Sequence, residues 1–439
     1  MRIIMDAHLH SRFSRATSQN MNVDGLYLWA KYKGIDIIGT GDFTHPFWLA
    51  ELKDKLEEDG SGLLRAKNSQ NENEPKFILT SEISCIYTQG GKGRRIHLVV
   101  FAPSFGIVEK INEKLSQRGN LYADGRPIFG MSAKELAKII LDVCPECLII
   151  PAHVWTPWFA IFGSNSGFDS VKECFEELTP QIYALETGLS SDPVMNWRLS
   201  ALDKYALVSF SDAHSPANLG REAVVFEIAE KDLLSYSLII KMIKEASPRF
   251  RSRSTLPASR NSQDKQISKL AYTIEFFPEE GKYHFDGHRG CGVSLSPEES
   301  KKLNNKCPKC GRPLTIGVMH RVVDLADREF GFVPEEAVPY KSLVPLDEII
   351  AESLKQHTTS QAVQKEYLKL VQQVAPELPL LLDFPLRDLE GKISNKIIEG
   401  IKKVRNGEVE KIPGYDGVYG IIKLKEIEGE PKQRQQRLF

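Results

Sequence analysis

Imidazole and carboxylate side chains gather at the ends of short apolar, β-branched runs in the first half of this chain. Such groups at buried strand ends cost free energy unless they are paired or bound to a metal. Without thiolates among them, they suit zinc, manganese or iron. The predicted ligands are His8, His10, Asp42, Glu82, His97, His153, Asp212 and His214. Because this set exceeds the four ligands of one tetrahedral zinc, we expect two or three metal ions, with Glu82 able to bridge two of them.

Two pairs in this set share one spacing. His8 and His10 are separated by a single residue, and so are Asp212 and His214. In a strand this spacing puts both side chains on one face. We therefore expect the two pairs to line the same metal site. The predicted catalytic residues are Asp212, Glu82 and His153.

Two further polar residues leave alternatives open. His45 lies in a loop three residues after Asp42, and Glu186 ends the sixth apolar run. Each is interpreted either as a metal ligand or as a substrate contact. A single histidine at a strand end is more often structural, so the whole set, rather than one member, indicates the metal site.

A second possible metal site is built on thiolates, in "GHRGCG" and "KCPKCGRPLTIG". Cys307 and Cys310 are separated by two residues and followed by a glycine, a pattern typical of a zinc knuckle. His288 and Cys291 supply two more ligands, and a closed set of four indicates a structural zinc. His284 is the alternative to His288. A redox pair is disfavoured, because no thioredoxin-like context surrounds it.

The elements that must position these side chains alternate along the chain. Seven apolar runs are mostly separated by helix-like segments, which favours a mainly parallel sheet covered by helices. Only "YTQGGKGR" separates the third run from the fourth, and it predicts a hairpin. A glycine-rich nucleotide turn does not follow the first run, so a barrel is favoured over an open sheet. The runs are "RIIMDAHLH", "IDIIGTGDF", "KFILTSEIS", "RRIHLVVFA", "CLIIPAHVW", "IYALETG" and "ALVSFSDAH".

A chain of 439 residues is too long for one ordinary core. We predict an α/β protein whose first domain, residues 1–245, is a β/α barrel that carries the first metal site. The polar, basic stretch "SPRFRSRSTLPASRNSQDKQ" predicts a linker. The further predicted units are a linker or exposed segment (246–271), a zinc-finger module (272–330), a mainly helical DNA-binding C-terminal domain (331–425) and a disordered tail (426–439).

Composition excludes some classes of protein. Lys and Arg number 57 against 58 Asp and Glu, so net charge predicts no partner, whereas basic clusters such as "GGKGRR" and "IKKVR" could follow a phosphate backbone. Long apolar runs and a signal-peptide pattern are both missing, so we expect neither a membrane span nor secretion. The metal-like cysteine set favours reduced thiols and a cytoplasmic location. ATP use is not expected, because the GxxxxGK[ST] pattern is missing.

The ordered metal motifs resemble the PHP (polymerase and histidinol phosphatase) domain over about residues 1–245. This resemblance implies a distorted seven-stranded barrel and a metal-dependent phosphoesterase, commonly with three metals. The usual second motif of that family is Thr-Asp-His, whereas this chain has Thr40, Gly41 and Asp42. The ligand at that point is therefore Asp42 by position, with His45 as the alternative.

Nearly the whole chain resembles the endonuclease Q family. The matching stretches are "DAHLHSRFSRATS", "GDFTHPFW", "PAHVWTPWF", "SDAHSPANLGREA", "CPKCGRPLTIGV" and "PGYDGVYG". The resemblance implies cleavage of DNA 5′ to hypoxanthine, uracil, xanthine or an abasic site. That family has Asn where this chain has Phe210, which leaves the choice of base open.

Cleavage of this kind needs a metal-activated water and a flipped nucleotide. The implied cofactors are two or three zinc ions in the barrel and one structural zinc, with magnesium or manganese as alternatives for activity. Damaged DNA is the expected partner. The predicted substrate-binding residues are Trp155, Trp158, Ser190, Ser191, Phe210, Arg94, Tyr415 and Tyr419.

Two rival functions and one further partner are compatible with parts of the sequence. A PHP phosphatase acting on a small phosphomonoester would need only the barrel. A non-catalytic zinc-finger protein that binds DNA would need only the second half. The terminal "QQRLF" weakly matches a sliding-clamp motif, which predicts a clamp as a possible partner.

Overall fold

The computed structural model describes residues 1–69, 71, 74–249 and 267–425. The strands are β1 (Arg2–Asp6), β2 (Ile37–Gly39), β3 (Leu56–Glu58), β4 (Leu64–Ala66), β5 (Lys76–Gln89), β6 (Lys92–Ala102), β7 (Ile128–Phe129), β8 (Leu148–Pro151), β9 (Ala184–Glu186), β10 (Ala206–Val208), β11 (Ala223–Glu227), β12 (Lys269–Glu275), β13 (Asp286–His288), β14 (Val293–Leu295), β15 (Tyr340–Ser342), β16 (Val409–Ile412) and β17 (Ile421–Leu424). The helices are α1 (Val23–Lys33), α2 (Pro46–Lys55), α3 (Phe105–Ser116), α4 (Ala133–Val143), α5 (Val171–Phe175), α6 (Pro193–Asn196), α7 (Tyr236–Ala246), α8 (Pro297–Lys302), α9 (Val318–Leu325), α10 (Leu346–Leu354), α11 (Gln361–Gln373), α12 (Glu377–Leu382) and α13 (Asn395–Arg405).

A large mixed sheet forms the centre of the molecule, in the order β15-β12-β11-β1-β2-β5-β4-β3, with β6 joining β5 to β8. The seven predicted apolar runs lie on β1, β2, β5, β6, β8, β9 and β10, which confirms them as strands. β1, β2 and β5 run parallel, whereas β5–β6, β6–β8 and β1–β11 are antiparallel. The sheet is therefore mixed and not mainly parallel as predicted, since the hairpin reverses the chain direction.

β9 and β10 form a two-stranded parallel sheet of their own beside the large one. After β8, the N–H of Val154 donates to the carbonyl of Glu186 at 3.0 Å. Beyond the end of β10, Ala213 forms a parallel bridge with Leu9, which follows β1. These contacts bring the segments after β1, β8, β9 and β10 together. Among the described residues no ladder joins β8 to β9, so the pairings alone do not close a barrel.

β5 and β6 form the predicted hairpin, paired as far as Gln89 opposite Lys92. Gly90 and Gly91 form its turn with φ of 60° and 73°. A two-residue type I′ turn requires two positive φ angles, which glycine adopts without strain. β5 is buried on both faces from Phe77 onward to Cys85, as expected for a covered central strand.

The helices follow their capping signals. The side chain of Asn22 caps α1 by accepting from the N–H of Gly25, and Gly34 ends the helix in the left-handed region. The segment "DPVMNWRLSALDKY" contains α6 followed by a 3₁₀ turn, Ser200–Leu202, and not one continuous helix. Leu199 lies between them with extended backbone and interrupts the helix.

The C-terminal helices pack on the first part of the chain. α1 contacts α11 and α12, and the buried Nζ of Lys33 lies 2.6 Å from Oε2 of Glu377. β12 begins at Lys269, inside the predicted linker, and pairs with β11 of the large sheet. The domain boundaries stay predictions. Within the described ranges, no helix has both the length and the apolarity that a membrane crossing requires. Most of the predicted linker (250–266) and the predicted tail and clamp motif (426–439) lie outside the described residues.

Candidate metal centre

The two predicted side-chain pairs meet across one backbone bridge. Leu9 and Ala213 form this bridge, and the N–H of His10 donates to the carbonyl of Ala213 at 3.0 Å. His8 and His10 therefore flank one side of the bridge, as Asp212 and His214 flank the other. Strands β1 and β10 end earlier, at Asp6 and Val208. The alternation of side chains between two faces is therefore maintained here by the bridge and not by a continuous strand.

A first cluster of possible metal ligands consists of His8, His10, Glu82 and Asp212, whose ligand atoms all lie within 4.8 Å of one another. Nε2 of His10 lies 3.2 Å from a carboxylate oxygen of Glu82 and 3.2 Å from Oδ1 of Asp212. In the described part of the chain, Nε2 of His8, Nε2 of His10 and Oδ1 of Asp212 are buried without a hydrogen-bond partner. Buried polar atoms are seldom left unpaired, so three that converge fit a metal ion.

Glu82 also belongs to a second cluster, with His97 and His153. Its Oε1 lies 2.6 Å from Nδ1 of His97 and 3.1 Å from Nε2 of His153. Glu82 is thus shared by both clusters, the arrangement that a bridging carboxylate between two ions requires.

Two buried carboxylates lie behind the first histidines. Glu186 contacts Nδ1 of His8 at 2.8 Å, and Asp42 contacts Nδ1 of His10 at 3.0 Å. The other oxygen of Asp42 accepts from the N–H and hydroxyl of Ser11. Carboxylates in this position orient an imidazole for its metal. Asp42 therefore lies in an orienting position behind His10, as Glu186 does behind His8, and the ligand role of Asp42 stays a prediction.

The other predicted metal residues lie beside these clusters. The His214 ring is 4.5 Å from that of His10, and its Nδ1 donates to the Asp212 carbonyl at 2.9 Å. Burial lowers the pKa of His214, so its Nε2 is free of a proton near neutral pH. His45 stacks on Phe13 at 4.4 Å between ring centres and is not part of either ligand cluster.

The backbone is strained at three of the predicted ligands. Asp42, His153 and Asp212 have φ of 46°, 29° and 47°. Residues other than glycine rarely adopt these angles, and such strain concentrates at functional sites.

The charges of the site depend on one another. Burial raises the pKa of Glu82, yet His97, Arg126 and His8 together hold it well below the ordinary value. Burial lowers the pKa of His97 to about 4 despite its contact with Glu82. Burial also lowers the pKa of His8, but Glu186 and Glu82 raise it well above the ordinary value. The Glu82 carboxylate is therefore ionised and can accept a cation.

Arg126 is a site residue that the sequence did not reveal. Its guanidinium donates to Oε2 of Glu82 at 2.8 Å. The preceding Gly125 approaches the site so closely that a Cβ there would overlap the Asp42 carboxylate and the Ser14 hydroxyl. Arg126 lies in a long loop between α3 and β7. A single arginine in a loop belongs to no periodic pattern, so the sequence does not distinguish it from other surface arginines.

The thiolate cluster also forms. The ligand atoms of His288, Cys291, Cys307 and Cys310 lie within 4.8 Å of one another, whereas His284 is not part of the cluster. Burial raises the pKa of the Cys307 thiol, but backbone N–H groups of the knuckle bring it down to about 6. Such a thiol is largely a thiolate at neutral pH, as a metal ligand must be. The set fits one tetrahedral ion.

Three of the predicted substrate contacts have buried side chains that pack inside the protein, and their role stays a prediction. Phe210 is fully buried and lies 6.1 Å from Phe101 between ring centres. Trp155 is buried against Phe162 and donates its indole N–H to Asn196 at 2.8 Å. The third, Ser191, is buried and donates to the Thr187 carbonyl. All three side chains are almost fully covered by neighbouring residues in this structure.

The other predicted contacts lie at the surface. Trp158 packs edge-on against Tyr283 at 5.7 Å, and Lys282 lies over the exposed ring of Tyr419 at 5.2 Å. These residues come from three distant parts of the chain, and the sequence did not predict the two from 282–283. Arg94 lies over Phe168 at 4.0 Å and donates to the Gly167 carbonyl. Tyr415 is half-buried beside Gly287, and Ser190 is half-buried near Gly281.

Comparison with known sequences gives three matches. The family described as "MJ0043 C-terminal domain" matches residues 345–408. The uncharacterized protein MJ0043 of Methanocaldococcus jannaschii is 30% identical over 280 residues, which are 62% of this chain and 32% of that protein. This chain thus spans about a third of that relative. The uncharacterized protein YqxK of Bacillus subtilis is 26% identical over 438 residues, 96% of this chain and 99% of the relative.

Among solved structures, two are similar to this chain over almost its whole length. The lesion-specific endonuclease PfuEndoQ of Pyrococcus furiosus has a TM-score of 0.81 and 29% identity, covering 97% of this chain and 96% of that one. Endonuclease Q in complex with a 27-mer duplex, with an abasic lesion at its active site, has a TM-score of 0.80 and 29% identity, covering 97% of both chains. The α/β architecture is therefore similar to that of endonuclease Q from end to end.

Proposed function

This chain belongs to the endonuclease Q family, and we propose that it is a DNA repair endonuclease that cleaves the phosphodiester bond 5′ to a deaminated base or an abasic site. The observation that carries this proposal is the extent of the likeness, which includes the thiolate cluster and the C-terminal helices as well as the first domain. A phosphatase acting on small esters would need only the first domain, so it would not explain the thiolate cluster or the C-terminal helices.

The residues fit a PHP-type centre with more than one metal. We assign one ion to the cluster of His8, His10, Glu82 and Asp212, and a second to Glu82, His97 and His153. The unpaired buried atoms of the first cluster support this assignment. When bound, such ions supply a water of lowered pKa and positive charge beside the phosphate oxygens. Zinc suits the nitrogen and oxygen ligands, with manganese or magnesium as alternatives for activity.

Several residues would act on the phosphate or on the ligands directly. Arg126 brings a fixed positive charge into the site, and this charge favours an anionic phosphodiester there. His214 has an unprotonated Nε2, which can accept a proton or serve as an additional ligand. The carboxylates Asp42 and Glu186 hold the two histidine rings in place from behind. The reactive groups are therefore oriented before the substrate arrives.

The lesion needs a place outside the helix, because its base edge cannot be inspected inside a duplex. We assign this place to the aromatic surface of Trp158, Tyr283 and Tyr419, with Lys282 beside it. The Thr156 hydroxyl lies 3.0 Å from Nδ1 of His153 and donates to the carbonyl of Trp158 at 2.9 Å, so the surface begins next to the second ligand cluster. Stacking on aromatic rings tolerates any base, so selectivity among lesions would depend on how easily each one leaves the helix.

The thiolate cluster is assigned to a structural zinc that stabilises the segment presenting Lys282 and Tyr283. Three buried residues, Val293, Cys307 and Leu314, form the small apolar cluster of this module. A core of this size rarely folds without a metal or a disulfide.

One experiment tests the function. Matched duplexes carrying uracil, hypoxanthine, xanthine, an abasic site or no lesion are incubated with the full chain and manganese, magnesium or zinc. We expect cleavage 5′ to one or more lesions, none of the undamaged duplex, and none by Asp212→Ala. Release of phosphate from small monoesters with intact duplexes would instead support a phosphatase. DNA binding without any cleavage would support the non-catalytic alternative.

A further inference from the structure

A second group of aromatic rings lies beside the first ligand cluster, which it contacts through Asp42, and the proposed function gives it no role. Phe13 stacks on His45, with ring centres 4.4 Å apart and planes 20° apart. Phe47 lies 5.9 Å from His45 and 5.5 Å from Tyr122. These four rings, which we call the ring ladder, come from three separate segments of the chain.

The ring ladder is fixed to the metal site through backbone contacts. The N–H of His45 donates to the carbonyl of Asp42 at 2.9 Å, and Asp42 in turn holds the His10 ring. The carbonyl of Phe13 accepts from the N–H of Gly125 at 3.0 Å, one residue before Arg126. A group bound on the ladder would therefore be held at a set position relative to the scissile phosphate.

The outer end of the ladder is open to solvent. Phe47 is 62% exposed and Tyr122 is 61% exposed, although the inner ring of His45 is buried. Tyr122 also lines a groove of about 670 Å³ between α2 and α3, together with Pro46, Leu49 and Leu121. Two large rings with free faces beside an apolar groove are an unusual use of surface, because exposed aromatic area costs free energy unless a partner covers it.

Charge beside the ladder indicates the kind of partner. The Arg12 guanidinium lies 5.5 Å from the Phe13 ring centre. Arg15, two residues after Phe13, pairs with Asp124, and its side chain is 83% exposed. Guanidinium groups beside a row of aromatic rings match a nucleotide, whose phosphate attracts the cation while its base stacks on an exposed ring of the row.

We propose that the exposed rings of Phe47 and Tyr122 form a stacking platform for an unstacked nucleobase of the DNA, next to the nucleotide that carries the lesion. The proposal rests on the proposed function, since it places the platform beside the first ligand cluster, whereas the surface around Trp158 lies beside the second. Flipping one nucleotide breaks the stack on both of its sides. The platform would replace the lost stacking and so hold the DNA in its distorted form.

The binding test uses single-turnover cleavage by the full chain over a range of enzyme concentrations. This measurement separates the half-saturating concentration from the maximal rate. For Phe47→Ala combined with Tyr122→Ala, we expect the half-saturating concentration to rise roughly 5- to 100-fold, the range of a lost base–aromatic contact. The maximal rate should change much less. Phe47→Trp should retain binding, whereas Phe47→Leu, which keeps apolar area without a ring, should not.

The matched control is Phe330→Ala, because Phe330 is 65% exposed and lies outside the ladder. It should bind like wild type. A half-saturating concentration within about twofold of wild type for the double alanine variant would overturn the proposal.

A photo-cross-linking arm identifies the base. 5-Iodouracil is placed opposite the lesion, or in the position before or after it, and the cross-linked peptide is identified. A cross-link to the peptide containing Phe47 or Tyr122, lost in the double variant, supports the platform and names the strand. Cross-links that persist in the double variant contradict it. If wild type cleaves none of the lesion duplexes, the proposed function fails, and the cross-link still decides the platform.

Discussion

Glu186 lies directly behind His8, with 2.8 Å between Oε1 of the carboxylate and Nδ1 of the ring. Its other oxygen accepts from the backbone N–H of His153 at 2.7 Å. One buried carboxylate therefore positions a residue of each ligand cluster. A contact of this kind fixes the tautomer of the histidine, so that Nε2 faces the metal with its lone pair.

Replacing Glu186 by Gln is expected to weaken metal binding by about 10- to 100-fold, because the amide orients the ring without a negative charge. Metal titration followed by elemental analysis measures this change. Glu227→Gln is the matched control, since Glu227 is an exposed acid paired with Lys269. Equal metal affinity in both variants would show that Glu186 has only a structural role.

Arg126→Gln is expected to lower the maximal single-turnover cleavage rate by about 100-fold, the usual cost of removing one group that stabilises developing charge. Arg126→Lys should recover part of the rate, because a point charge replaces the guanidinium. The control is Arg118→Gln, an exposed arginine that pairs with Glu135. If Arg126→Gln instead loses metal and keeps its rate at saturating metal, the residue serves only to hold Glu82.

His288→Ala is expected to lower the metal content by one ion per chain and to destabilise the module around it, because a four-ligand site would lose one ligand. His284→Ala should keep that ion, since His284 lies outside the cluster. Elemental analysis and thermal unfolding measure both effects. Loss of the ion in His284→Ala alone would reverse the assignment.

Lys33→Met is expected to lower the free energy of unfolding by about 3–5 kcal/mol, because it leaves Glu377 buried without its cation. The two side chains are only 3% and 4% exposed and join α1 to α12. Lys33→Met combined with Glu377→Gln should recover a large part of this loss, since no charge then stays buried. Urea unfolding measures all three proteins. A loss below about 1 kcal/mol in the single variant would contradict the role of the pair.

The sequence by itself determined the strands and most of the chemistry. Apolar runs of β-branched residues marked the seven strands, because their burial dominates the local free energy. The spacing of His8 with His10, and the thiolate pair of Cys307 with Cys310, identified both possible metal sites. Side chains of these types at buried positions have few uses besides metal binding or ion pairing.

Only the tertiary structure decided what each polar group contacts. An aspartate can either bind a metal or orient a histidine, and its residue type alone does not distinguish the two. Asp42 lies behind His10 and has a left-handed backbone conformation, which the pattern of apolar residues does not predict. Arg126 reaches Glu82 from a loop 44 residues away in sequence. Phe210 lies two residues before Asp212, a spacing that would place both side chains on one face of a strand. Strand β10 ends at Val208, however, so this alternation does not apply to Phe210 and Asp212, and Phe210 is buried. Chain segments far apart in sequence meet because burial of the whole core brings them together, and that burial is a property of the entire fold.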